Sequence, residues 1–149
     1  PFRVRSPGPT PTGGAPMQVT RTRPESQPGD PERFRGTVWI DQIAVGTTPS
    51  RLCSNSVHFT PGARTAWHMH PLGQALHVLE GAGRIGERGS VHEVRAGDTV
   101  VTLPGEWHWH GAAPGHFMTH IGMTEFAPDG HTAEWGEHVT DDEYGATAG

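Results

Sequence analysis

From Gly36 onward the chain alternates apolar and polar residues with a period of two, the repeat of a strand that covers one face. Gly36–Ile43 (GTVWIDQI), Ser54–Thr60 (SNSVHFT), Arg64–His70 (RTAWHMH) and Gln74–Glu80 (QALHVLE) read as strands, with Pro61-Gly62 as a turn between the second and third. Gly81–Gly89 is glycine-rich and flanks a short piece around Arg84-Ile85. Val91–Arg95, Asp98–Leu103, Trp107–Gly111 and His116–Phe126 complete a set of eight or nine short strands. No long amphipathic helix interrupts them, so the pattern predicts an all-β sandwich or barrel. Near the end, Thr140-Asp141-Asp142-Glu143 is a capping-box pattern, and Gly145 stops the helix after about one turn.

Residues 1–31 break this pattern. They hold almost no aliphatic side chains and many of the 14 prolines, which lowers the hydrophobic share of the whole chain to 33%. Such a segment buries too little apolar surface to offset its ordering entropy. It is expected to be a flexible or extended Pro/Gly-rich arm, with residues 32–149 as one folded domain. A chain of 149 residues suits a single core.

Net charge is −5, from 11 arginines against 16 acidic residues. That balance argues against a nucleic-acid groove or an anionic membrane as partner, since both call for concentrated positive charge. No apolar run approaches the ~20 residues that span a bilayer, and no signal-peptide pattern opens the chain. A single cysteine, Cys53, excludes an internal disulfide. The expectation is a soluble cytoplasmic protein. Gly81-Ala82-Gly83-Arg84-Ile85-Gly86 matches G-x-G-x-x-G, but short strands follow it where a dinucleotide site needs a helix, so it reads as a hairpin turn.

Eleven histidines change the picture. His68 and His70 lie two apart on one predicted strand, so both imidazoles leave the same face and can act as neighbouring ligands of one ion. Gln74 follows Pro71 and Gly73, where a bend can return it beside the pair, and His108 comes from a distant strand after Pro104-Gly105. Three imidazoles and an amide oxygen suit a borderline divalent transition metal, whereas calcium or magnesium would call for more carboxylates. His116, Met118, His120, Gly122 and Thr124 share one strand face, which would turn His120 into the cavity. Asn55, Val57 and Phe59 share another and would form a pocket wall with Met118 and Thr124. His110 shares a face with His108, while Trp67, Trp107 and Trp109 alternate with the histidines and should face away. Thr65 has the opposite parity to His68 and reaches the pocket only through a bend. His58, His77, His92, His131 and His138 read as surface or packing residues.

Gly62 through His68-Met-His70-Pro-Leu-Gly-Gln74 to Glu80-Gly81 resembles the first cupin motif, G-x5-H-x-H-x3,4-E-x6-G. Gly97-Asp98 through Pro104-Gly105-Glu106-Trp107-His108 resembles the second, G-x5-P-x-G-x2-H. Gln74 stands where most cupins have Glu, and Leu103 where the second motif has its first Pro. ARTAWHMHPLGQ, PGEWHWHGAAP, MTHI and EWGEHVTDDEY together are similar to the bacterial manganese-dependent hydroxynitrile lyases over roughly residues 34–144. The resemblance implies a double-stranded β-helix (jelly-roll) barrel, assembled as a homodimer or homotetramer. It implies Mn(II), with Fe, Ni, Zn and Co as alternatives, held by His68, His70, Gln74 and His108. His120 would be the catalytic base, and Thr65 and His110 would line the pocket of a small-molecule substrate. The activity implied is carbon–carbon lyase chemistry on a cyanohydrin. A cupin dioxygenase and a non-enzymatic small-molecule-binding cupin are the alternatives.

Overall fold

The computed structural model describes residues 17–149. Among them the chain forms twelve strands: β1 (Gln27–Pro28), β2 (Phe34–Arg35), β3 (Val38–Val45), β4 (Leu52–Phe59), β5 (Arg64–Thr65), β6 (His68–Met69), β7 (Gln74–Glu87), β8 (Ser90–Arg95), β9 (Thr99–Thr102), β10 (His108–Ala112), β11 (Met118–Glu125) and β12 (Glu134–Trp135). A single helical turn, α1 (Asp141–Gly145), follows. No helix among the described residues is long and apolar enough to cross a membrane.

All strand pairs are antiparallel, and β7 joins two curled sheets. Its first half pairs with β11 and β9, extending a sheet that continues through β4 and β3 to β1. Its second half pairs with β10 and β8 in the other sheet, which also holds β5, β6, β2 and β12. The crossing falls at Gly81, whose φ of +76° suits glycine, and a Cβ there would lie 1.8 Å from the carbonyl oxygen of Phe117.

Two expectations are corrected here. Gly81–Gly86 is continuous strand, and the hairpin turn comes later, at Arg88-Gly89 between Glu87 and Ser90. The glycines in that strand serve close packing. A Cβ at Gly86 would meet the Trp109 indole at 2.0 Å, and one at Gly83 the Met118 sulfur at 2.2 Å. The strand expected over Arg64–His70 is broken between β5 and β6, where Trp67 donates its N–H to Glu137 O (2.9 Å) and accepts from Gly136 N (2.7 Å). This break resets the side-chain parity, so Thr65 and His68 both point inward. Within the segment expected as an arm, Gln27–Pro28 is extended and lies antiparallel to Trp39-Ile40. Residues 1–16 of that arm lie outside the described residues.

The main core fills the space between the sheets with Val38, Val57, Phe59, Leu76, Val78, Ile85, Val94 and Met118. A smaller cluster of Val91, Trp109, Val139 and Tyr144 backs the second sheet. Every residue of β10 is therefore buried: His108 and His110 face inward and Trp109 faces the smaller cluster. The capping box forms as read from the sequence, with Glu143 N donating to Thr140 Oγ1 and Thr140 N donating to Glu143 Oε2. Arg64 and Arg84 stack on Tyr144 and donate to carbonyls of Val139, Tyr144 and Ala146, fixing the C-terminal turn against β10.

Candidate metal centre

β6 and β10 meet in register at His68 and His108, and His70 follows just past β6. The donor nitrogens of His68, His70 and His108 lie within 4.8 Å of one another, and all three rings are buried. Each imidazole is oriented by a backbone carbonyl. Nδ1 of His68 donates to Ala66 O (2.9 Å), Nδ1 of His70 to Thr132 O (2.6 Å) and Nδ1 of His108 to Glu106 O (2.9 Å). Only the tautomer protonated at Nδ1 can make these bonds, so each Nε2 carries a lone pair.

Among the described residues these lone pairs lack protein donors. Nε2 of His70 is buried with no hydrogen-bond partner. Nε2 of His108 faces Oε1 of Gln74, the first residue of β7, at 3.1 Å. With Nδ1 of His108 already committed to donating, that contact sets two acceptors against each other. A buried acceptor without a donor is costly, and a shared cation satisfies all of them at once. The residues therefore fit a divalent transition ion at Nε2 of His68, His70 and His108. Backbone carbonyls behind each ring are the outer support such ligands need.

A cavity of about 310 Å³ opens beside the cluster and is lined by His68, His70, Gln74, Thr65, His110 and His120. Asn55, Val57 and Thr124 line it as the strand parity predicted. Phe59 and Met118 do not: two residues further along their strands, they lie past the cavity in the main core. Phe59 instead packs under the inner histidines, its ring 5.5 Å from His120 and 5.9 Å from His110. Nε2 of His120 lies 3.0 Å from Nδ1 of His110, and His110 N donates to Oγ1 of Thr65 (3.1 Å). Thr65 thus fixes the strand that carries His110.

The cavity's outer rim comes from segments outside the two histidine motifs. Arg33, Phe34, Thr132 and Trp135 all line it. Trp135 pairs with His68 across β12 and β6 and stacks on its ring at 4.6 Å and 25°. Trp135 lies within the phrase EWGEHVTDDEY, but strand parity alone could not place a two-residue strand. The carbonyl of Thr132 leaves no sequence signal at all.

Residues 55–120 match the family model described as Cupin domain. Over 130 residues, 86% of this chain and 98% of the other, the sequence is 47% identical to a protein named (R)-mandelonitrile lyase from Granulicella tundricola. This chain is a cupin. Its fold is similar to that of a cupin-like protein from Thermotoga maritima, with a TM-score of 0.72 and 37% identity, covering 85% of this chain and 95% of that one. It also shares the fold of the polyketide cyclase RemF from Streptomyces resistomycificus, with a TM-score of 0.62 and 21% identity over 87% and 91% of the two chains. The stretch matched by the family model carries the histidines, Gln74 and Thr65 of this cupin's site, and none of the rim.

Burial, opposed by few charges, keeps the inner histidines neutral. It pushes His70 and His120 down to about 4 and His68 and His110 well below the ordinary histidine value. In the unfolded chain the same groups titrate near 6.5. Below that pH the unfolded state binds protons that the folded state refuses, so stability falls as pH drops from about 6.5 toward 4. Each such histidine costs about 1.4 kcal/mol per pH unit in that window. The urea midpoint of the chelator-treated cupin is expected to fall steeply between pH 6.5 and pH 4.5. A midpoint that stays level across that interval would contradict neutral, buried histidines.

Proposed function

We propose that this cupin is a divalent-metal-dependent lyase that makes and breaks the carbon–carbon bond of a cyanohydrin. Manganese(II) would be held by His68, His70, His108 and Gln74. The observation that carries the reading is a neutral, buried His120–His110 pair in the same cavity as the three-histidine cluster. The 47% identity to a protein named (R)-mandelonitrile lyase, over nearly its full length, supports the same reaction class.

The bound ion supplies a Lewis acid, which lowers the pKa of a hydroxyl it holds and polarises a carbonyl. His120 accepts the hydroxyl proton. Burial has lowered its pKa to about 4, so it is unprotonated at pH 7 and ready to accept, but only from an acidified hydroxyl. With its Nε2–H donating to Nδ1 of His110 at 3.0 Å, the proton is accepted at Nδ1, which has no partner among the described residues, and the imidazolium keeps His110 as an acceptor inside the dry pocket. As the carbonyl forms, the bond to the nitrile carbon breaks and its electron pair leaves with cyanide. His120 then returns the proton, giving hydrogen cyanide. Val57 and Phe59 exclude water from beneath the pair.

The test is cyanide and benzaldehyde release from mandelonitrile by the manganese-loaded protein. Equal amounts of the two products, formed only with metal present, support the reading. Absence of both overturns it. Metal-dependent oxygen uptake with an enediol or flavonol would put an oxygenase in its place.

A further inference from the structure

The cavity reaches well beyond the reacting end. A volume of about 310 Å³ is of the order that holds a whole small molecule. Its outer walls are two aromatic rings, Phe34 and Trp135, with centroids 5.9 Å apart. Arg33 also lines the cavity, with its guanidinium carbon 5.4 Å from the Trp135 centroid. Trp135 thus touches both His68 of the metal centre and Arg33, whose side chain is half-exposed.

Among the described residues, Arg33 and Asp30 are the only ones lining the cavity that carry a charge at neutral pH, since the histidines there are neutral. The backbone accounts for Asp30. Its Oδ1 accepts from Glu32 N (2.9 Å), and its carbonyl accepts from Arg33 N and Phe34 N, which closes the turn into β2. Its Oδ2 lies 3.7 Å from Nε of Arg33, beyond hydrogen-bond length. The guanidinium carbon lies 5.4 Å from the Trp135 centroid, within cation–π range, and Nε faces Asp30, so Nη1 and Nη2 remain for a ligand. Among the described residues, the guanidinium donates no side-chain hydrogen bond. An edge of planar N–H donors over an aromatic wall is the geometry that receives a carboxylate in two parallel bonds.

We propose that Arg33 recognises a carboxylate on an aryl substrate, at the end remote from the three histidines. The substrate class is then a carboxyl-bearing aromatic aldehyde or its cyanohydrin, with its ring in the cavity on the inner side of the touching Phe34–Trp135 pair. This inference rests on the reading of the cavity as the place where such a carbonyl compound reacts. Asp30 opposes the incoming anion and weakens the preference without abolishing it.

The experiment is calorimetric titration of the full-length, manganese-loaded protein with benzaldehyde and with 4-formylbenzoate. Wild type is expected to bind 4-formylbenzoate about three- to tenfold more tightly, the range of a partly exposed charged hydrogen bond. Arg33→Gln is expected to bring the ratio of the two affinities to about one. Asp30→Asn, which can still accept from Glu32 N, is expected to widen it. A wild-type ratio of one overturns the proposal. So does an advantage that survives Arg33→Gln, because the carboxylate would then be bound at the metal. Cyanide release assayed on the same samples separates the two readings. Arg33-dependent binding without lyase activity overturns the reaction and leaves the carboxylate site standing. Lyase activity on mandelonitrile with an Arg33-independent ratio does the reverse.

Discussion

Replacing His120 by alanine is expected to lower cyanide release from mandelonitrile by about 10²- to 10⁴-fold, the range for loss of a positioned general base. The metal content of the variant should equal that of wild type, because His120 lies outside the group of three histidines whose nitrogens converge. Separating chemistry from metal content is the point of this substitution. A merely structural His120 would lower both together, since the ring is buried against Phe59 and His110. Unchanged turnover in a folded His120→Ala would remove the base from the mechanism and leave the metal centre intact.

A larger and different effect is expected at His68. Its ring is held on one edge by Ala66 O and on one face by Trp135, and it pairs in register with His108. His68→Ala removes one of three converging nitrogens and the partner that holds Trp135 in place. Loss of an outer-shell partner alone typically costs 10- to 100-fold in metal affinity, so loss of the ligand should exceed roughly 100-fold. The expected result is near-zero retained manganese after gel filtration, with turnover at background. Retention of one manganese per chain with full activity would place the ion elsewhere.

The fold was legible where side chains alternate. Seven of the expected strand segments correspond to β3, β4, the first half of β7, and β8 through β11, because the period-two pattern reflects one covered face. The inner site was legible for the same reason. His68, His70 and His108 converge because two strands present them to the same interior, and Gln74 arrives where the chain re-enters a strand after Gly73. Parity failed at Thr65, where a break that depends on Gly136 and Glu137, some 70 residues away, changes the face. The glycines between 81 and 86 were misread because a sequence does not distinguish a glycine that turns the chain from one that admits Trp109 or Met118. The rim was illegible because two-residue strands carry no period. Arg33, Phe34 and Trp135 acquire their place only when the two ends of the domain fold over the mouth.

The central claim is that three imidazoles and one amide oxygen grip a single divalent ion. Crystals of the protein grown with manganese, measured for anomalous scattering at the manganese edge, test it most directly. The account predicts one strong peak about 2.0–2.2 Å from Nε2 of His68, His70 and His108 and from Oε1 of Gln74, the bond lengths usual for such nitrogen and oxygen ligands. A map with no peak between β6 and β10, or a peak bound only by surface carboxylates, would contradict it.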